Sequence, residues 1–509
     1  YMEGSPGTAP LRQLAEAVKQ GIWAAGGVPV EFGIPATCGN VAVGSEEMKY
    51  EQVARDVVAM SIEVVTRVHH FDGLCMLATC DNIIAGTYLA AARLDLPAMV
   101  VTGGSMMPGS YCGKQVVEAE LNAAVMGGQK EAVLAEMEEC VCPSFGACPS
   151  MGTANTMQMI GEVLNLVLPG TATIPAADNS KLRRAREAGA YMVQLVKKGL
   201  RPSQLITRET ILNAIMFDMA VAGSTNAVLH LLAIARELGL DIRLEDFEKY
   251  SKEIFCINGV IPNGPYTVVD FHRAGGVLAV MKQLESRLFR DVPTMQGETW
   301  GQLLSRVPAR VSDVIGSLEH PRFQVPGLQV LRGNLAPNGA IIRPTGVPEE
   351  MRVFSGTAKV YDNDSASKAA IDRGEIQPGD VIVIRYEGCK GAPGMKEEML
   401  TTDALIGRGL DKCVGLVTDA RFSGFNYGAI VGHVSPEACD GGPIALVEDG
   451  DRITIDTVQG TLTLEVPEEE LEARRRQWVC PPPKVTKGVL ALYAKTCRPA
   501  EEGGAMQLW

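Results

Sequence analysis

A chain of 509 residues exceeds what one ordinary core encloses, so two or three domains are expected, and two is the working number. With 46% hydrophobic and 21% charged residues, 54 Gly and 29 Pro, the composition excludes a disordered chain or a coiled coil and fits a compact, loop-rich enzyme. A formal net charge of −13 excludes a broad basic footprint for nucleic acid, although a local cationic pocket for a small anion remains compatible with it.

Thirteen cysteines are an odd count in a chain too large to need disulfide staples. No charged-plus-apolar leader precedes the first helical pattern, so a reducing, cytoplasmic setting is expected. The longest apolar runs, such as 413–417 and 444–447, are too short to cross a bilayer, and no membrane partner is expected.

In chain order, periodicity predicts amphipathic helices over 11–25 and 50–68, then buried parallel-type strands over 74–79 and Ala98–Thr102. The first strand runs into Cys80-Asp81-Asn82 and the second into Gly103-Gly104; ligands gather at such strand ends in open α/β sheets. His69-His70, closing a helical pattern, suits a charge–dipole contact better than metal binding, and Met106-Met107 suits packing. Helix and strand patterns alternate to about residue 285, and the texture changes near 318–333. Beyond it come β-rich segments over 339–343, 352–361, 380–386, 414–418, 443–447 and 451–466, the last reading as a hairpin turning at Gly460. Arg474–Arg476 reads as a solvated helix face. The expected architecture is α/β: an N-terminal α/β domain with a parallel sheet over 1–325 and a C-terminal β-barrel domain over 326–509.

The strongest chemical signal is the loop from Cys142-Pro-Ser-Phe-Gly-Ala-Cys148 into Met157. It presents thiolates and backbone N–H groups together, which suits an iron–sulfur cluster; the plainer alternative is a pair of small core residues. Cys80-Asp81 adds a second thiol beside an acid. The Gly-rich stretch from Arg385 to Glu397 favours close backbone approach to a ligand over a solvated turn. Thr418-Asp-Ala-Arg-Phe-Ser-Gly424 follows a strand and precedes Gly432-His-Val-Ser-Pro-Glu437. Ser423 is by default a turn residue, and as a base it needs a nearby metal or backbone dipoles to lower its pKa. His230 reads as a satisfied structural residue or a support for a neighbouring group. Cys75, Cys112, Cys256, Cys413, Cys439, Cys480 and Cys497 lack partner spacing and read as small hydrophobes.

These pieces, in this order, resemble the dihydroxy-acid dehydratase and 6-phosphogluconate dehydratase family, often called IlvD/Edd, which includes sugar-acid dehydratases. The likeness covers nearly the whole chain: Gly26 to Phe32, Cys80-Asp81, Cys142 to Met157, Gly223-Ser-Thr-Asn226 with His230, His272 to Gly276, Gly333 to Gly339, Glu387 to Glu397 and Arg421 to Glu437. The resemblance implies a hydro-lyase turning a 2,3-dihydroxy acid, branched-chain or sugar-derived, into a 2-oxo acid, working as a homodimer or dimer of dimers. It implies an Fe–S cluster, [2Fe-2S] or [4Fe-4S], as Lewis acid and Mg²⁺ on the small-molecule hydroxy-acid substrate. Residue by residue, it carries Cys80 and Cys148 over as cluster ligands, Asp81 and Glu397 as metal ligands and Ser423 as the base.

Three positions depart from the family pattern. Pro6-Gly7-Thr8 stands where the family has Pro-Cys-Asn; Gly39 stands where a metal-binding Asp falls; Asn82 stands where many members have a Lys that is carbamylated to bind metal. One reading is that Cys38 supplies the third thiolate and Asn82 a neutral oxygen to the metal. The opposing reading is a diverged homologue with a damaged or missing cluster, acting on another substrate or only as a binding partner.

Overall fold

The structure, a computed structural model, describes residues 2–507; Tyr1, Leu508 and Trp509, at the outer ends of the two expected domains, lie outside the described residues. The first two helices fall where the apolar periodicity places them: α1 (Leu11–Ala24) buries Leu11, Leu14, Ala17, Val18 and Gly21 along one face, and α2 (Lys49–His69) follows. β1 (Leu74–Ala78) and β2 (Ala98–Thr102) pair in parallel, Leu74 opposite Ala98, with α3 (Asp81–Leu94) as the crossover. The expected parallel sheet is therefore present, with two strands.

The helices around this unit supply most of the core. Arg208–Val221 and Asn226–Glu237 are buried almost all round, as helices inside a helical layer must be. α3 packs on α2 through Gly86, where an added Cβ would come within 2.6 Å of the Arg55 carbonyl oxygen; only glycine allows the two backbones to approach so closely. A short hairpin, β3 (Gly109–Tyr111) and β4 (Lys114–Val116), leads on to the helices Glu118–Met126 and Glu131–Val141 and to the Cys142–Cys148 loop.

The second half is a nearly closed barrel-like sheet. Its strands are β5 (Gln329–Leu331), β6 (Gly339–Ile342), β7 (Val353–Tyr361), β8 (Asp380–Ile384), β9 (Gly415–Thr418), β10 (Ile430–Ser435), β11 (Arg452–Asp456) and β12 (Thr461–Leu464). They lie in the order β12-β11-β7-β8-β9-β10-β6-β5. The two edges meet: the Arg332 N–H donates to the Gly460 carbonyl at 3.0 Å, and the Leu462 N–H donates back to Arg332 at 2.9 Å. β7 to β10 run parallel: helices Asp364–Asp372 and Met399–Gly407 make the crossovers into β8 and β9, and an irregular loop makes the one from β9 into β10. The hairpin read from 451–466 is β11 and β12, paired antiparallel.

Two readings are corrected. Residues 443–447 form no strand; Pro443–Leu446 is one turn of 3-10 helix, since Pro443 fixes its φ and has no N–H to give a ladder. Arg474 is no solvated residue: its side chain is 13% exposed and donates to Asp451 Oδ2 at 2.5 Å. Among the described residues no helix is long and apolar enough to cross a membrane.

Candidate functional site

Sheet geometry places the first thiol. β1 ends at Ala78, Cys80 stays extended with φ −76° and ψ 149°, and α3 starts at Asp81, so a buried thiol and a carboxylate stand together at a helix N-terminus. Cys38, in the loop before α2, is hydrogen-bonded to Cys80, which holds the Cys38 thiol below its ordinary range and the Cys80 thiol well above it. Ser5 Oγ lies 3.9 Å from Cys80 Sγ. Cys148 is close enough to be felt electrostatically by both thiols; burial and the Glu118 carboxyl push it upward, and Asn40 Nδ2 donates to its sulfur at 3.1 Å. Cys142, the other cysteine of that loop, is exposed.

The acids converge on one guanidinium. Arg421, with no exposed surface, places Nη1 2.7 Å from Glu397 Oε1 and 3.5 Å from Asp81 Oδ2, while its Nε donates to the Met395 carbonyl at 2.8 Å. Residues 397 and 421 are adjacent because their backbones form an isolated parallel bridge. Glu397 Oε1 also accepts from Asn226 Nδ2 at 2.7 Å. Burial acts to raise the Asp81 carboxyl, yet the hydrogen bond from His230 and the charge of Arg421 outweigh it and hold the group low. Glu51, 5% exposed, completes the cluster; burial first and the Asp81 charge second push it up to about 7.

Behind Asp81 runs a support chain. His230 Nε2 is 3.3 Å from Asp81 Oδ1, and its Nδ1 is 3.3 Å from Arg55 Nη1. Arg55 in turn donates to the Gly503 carbonyl at 3.0 Å and the Gly504 carbonyl at 2.9 Å. Burial pushes His230 down to about 4, so the ring is neutral.

Ser423 follows Arg421 by two residues and is half-buried, its Oγ accepting from the Phe425 N–H at 3.4 Å. Its loop abuts the chain just after Cys148: a Cβ built on Gly424 would lie 2.8 Å from the Met151 carbonyl oxygen. Arg343 fixes the far side by donating to the Gly424 carbonyl at 2.7 Å. Asn82 sits in the first turn of α3, 1% exposed, with neither side-chain polar atom hydrogen-bonded; Asn226 Oδ1 and Arg421 Nη2 are likewise buried without a protein partner. These open donors and acceptors suit a small polar molecule.

The donor sets differ in what they accommodate. A Cβ built on Gly7 would come within 2.3 Å of Cys80 Sγ, so the sulfur fills the volume a side chain at position 7 would enter, and Cys38 is the thiol that meets Cys80. Cys38, Cys80 and Cys148 are free thiols in mutual electrostatic reach and are the donor type an iron–sulfur cluster takes, although among the described residues their side chains are not drawn together around one metal position. A magnesium cage is a different matter. Mg²⁺ wants several hard oxygens in octahedral array, whereas Asp81 and Glu397 share Arg421, Gly39 offers nothing and Asn82 carries no charge. Among the described residues no three His, Cys, Asp or Glu side chains are gathered to hold a metal ion, so the residues present do not fit Mg²⁺.

Sequence reasoning assigned no part to Arg421, Asn226, Glu51 or Arg55. The first two sit inside motifs it singled out, so the signal was present. Glu51 and Arg55 stand four residues apart on one face of a helical pattern, and charged residues on a helix face meant to be buried are the clue they offered.

Comparison with known proteins matches residues 1–303 to the family described as dihydroxy-acid/6-phosphogluconate dehydratase N-terminal and residues 313–504 to its C-terminal counterpart. The chain is 46% identical to the dihydroxy-acid dehydratase of Methanosarcina barkeri, over 98% of this chain and 92% of that one. It is 45% identical to the dihydroxy-acid dehydratase of Pyrococcus furiosus, over 100% and 93%. For that of Acetivibrio thermocellus the figures are 43%, 99% and 92%.

Proposed function

The chain belongs to the dihydroxy-acid/6-phosphogluconate dehydratase family, a hydro-lyase family, and from that premise we propose that it dehydrates a 2,3-dihydroxy carboxylic acid to a 2-oxo acid. The observation that carries the reading is the meeting, in one site, of three thiols with the buried Asp81–Arg421–Glu397 centre beside Ser423.

Elimination needs help at both ends, because hydroxide is a poor leaving group and a proton next to a carboxylate is weakly acidic. Arg421 Nη2, buried and without a protein partner, is the donor left for the substrate carboxylate, and Asn226 Oδ1 is an acceptor for a substrate hydroxyl. In this reading Ser423 Oγ first loses its own proton to solvent, the Phe425 N–H that it accepts from favouring the alkoxide, and the alkoxide takes the C2 proton; its loop is pinned by Arg343 and the Met151 backbone. Loss of the C3 hydroxyl then leaves an enol that tautomerises to the 2-oxo acid. An iron–sulfur cluster held by Cys38, Cys80 and Cys148 supplies, when bound, Lewis acidity toward the departing hydroxyl. No step is assigned to Mg²⁺.

The test is 2-oxo acid formation from branched-chain dihydroxy acids and from aldonic acids, using anaerobically purified protein whose iron and acid-labile sulfide have been measured. Turnover is expected with at least one of these acids, and Ser423→Ala should reduce it at least about a hundredfold while leaving iron content unchanged. Full activity in Ser423→Ala, or no turnover of any of these acids by cluster-bearing protein, would overturn the assignment.

A further inference from the structure

Two thiols far from the site come together at the surface. Cys439 lies on the single 3-10 turn Ala438–Asp440 after β10, and Cys480 lies in the irregular stretch beyond the helix Glu468–Gln477. Their sulfurs are 3.6 Å apart although 41 residues separate them in sequence. Cys480 is exposed and Cys439 half-buried, so the reading of both as small hydrophobes fails for Cys480. Burial first, and contact with Cys480 second, push the Cys439 thiol up to about 12, so Cys480 is the sulfur that meets a reagent from solvent.

A metal site does not account for the pair. Glu437 accepts from the Lys390 and Gly391 N–H groups, each at 2.9 Å, and Asp440 pairs with Lys390 Nζ at 2.7 Å, so both nearby carboxylates are engaged and, among the described residues, no third ligand is gathered at the pair.

We propose that Cys439 and Cys480 form a reversible disulfide that fastens the segment after Glu468–Gln477 to the turn after β10, with a low-molecular-weight disulfide such as oxidised glutathione as the oxidant. The Cys480 thiolate attacks one sulfur of that disulfide, breaking its S–S bond and releasing one small thiolate. Cys439 then gives its proton to solvent and attacks the Cys480 sulfur, expelling the second thiolate. The protein pair loses two electrons and the small disulfide gains them, ending as two thiols.

The location gives the bond a consequence. Trp478 Nε1 donates to Tyr386 Oη at 3.0 Å, and Lys484 Nζ donates to the Tyr386 carbonyl at 2.7 Å and to Glu387 Oε1 at 2.5 Å. The fastened segment thus lies on the start of the loop that runs on to Glu397, and Glu437 holds the same loop from the turn bearing Cys439.

The experiment equilibrates the whole protein in buffers of varied oxidised-to-reduced glutathione ratio, quenches with acid and an alkylating reagent, and maps non-reduced peptides by mass spectrometry. Expected is a linked pair of peptides carrying residues 439 and 480, which dithiothreitol reverses and which Cys480→Ser abolishes. In oxidising buffer the melting temperature of the native chain should exceed that of Cys480→Ser by several degrees, and in reducing buffer the two should coincide. Recovery of the two cysteines as separately alkylated or glutathionylated peptides at the most oxidising ratio, or linked to other cysteines instead, would overturn the proposal.

Discussion

Arg55 has only donors, so its contact with His230 Nδ1 fixes the imidazole tautomer: Nδ1 accepts, and Nε2 carries the proton given to Asp81. His230 therefore orients the Asp81 carboxylate through that hydrogen bond. His230→Ala should lower turnover about ten- to a hundredfold, as loss of such supporting hydrogen bonds commonly does, and His230→Gln, whose amide nitrogen can still donate, should recover part of it. Equal loss in both variants, measured beside their melting temperatures, would remove this role. Cys38→Ser gives a second check at the same scale. It should lower bound iron and labile sulfide severely, whereas the exposed Cys142→Ser should leave both near the native level. A third concerns pH. Glu437 is pushed up to about 8, by burial first and then by Asp419 and Asp440, against an ordinary 4.5. A raised carboxyl keeps a proton in the folded chain that the unfolded chain has released, so its contribution is complete below pH 4.5 and disappears as pH rises through about 8. Glu437→Gln should accordingly lose less stability than the native chain between those pH values in urea titrations, and parallel curves would refute the assignment.

At the scale of elements, the contact between α2 and α3 carries the site. Arg55 is on one helix, Asp81 begins the other, and Gly86 sets their separation. Gly86→Ala should cost about 1–3 kcal/mol in denaturant unfolding, because the new methyl meets a backbone carbonyl that has no room to move. It should also lower turnover by shifting Asp81 relative to Arg55; unchanged stability would mean that the helices separate freely. Most elements here are legible in the sequence for a plain reason: amphipathic periodicity over 11–25 and 50–68, and apolar runs ending in polar turns at Ala78 and Thr418, each carry their own signal. The segment 443–447 misleads because its apolar content matches a buried strand while Pro443 dictates a tight turn. The three-residue strand β5 is too short to give any period.

Across the whole molecule, the site joins residues that no local pattern relates. Cys80 and Ser423 are legible as motif residues, but the meeting of Asp81, Glu397 and Arg421 depends on a loop-to-loop bridge in the barrel half docked on a helix from the first half. The same docking makes the halves share a core, since Leu328, Val330 and Ile341 of the β5–β6 region pack within the large apolar cluster of the helical part. Thermal unfolding followed by far-ultraviolet circular dichroism and by iron release should therefore give coincident transitions, while two well-separated transitions would show that the halves unfold apart.

The tether from Arg55 to the carbonyls of Gly503 and Gly504 spans 448 and 449 positions of chain. During synthesis, every thiol of the site leaves the ribosome long before those two carbonyls exist. A nascent chain thus presents these thiols while the brace behind the acidic half is still missing, and the Arg55 tether cannot close until translation has passed residue 504.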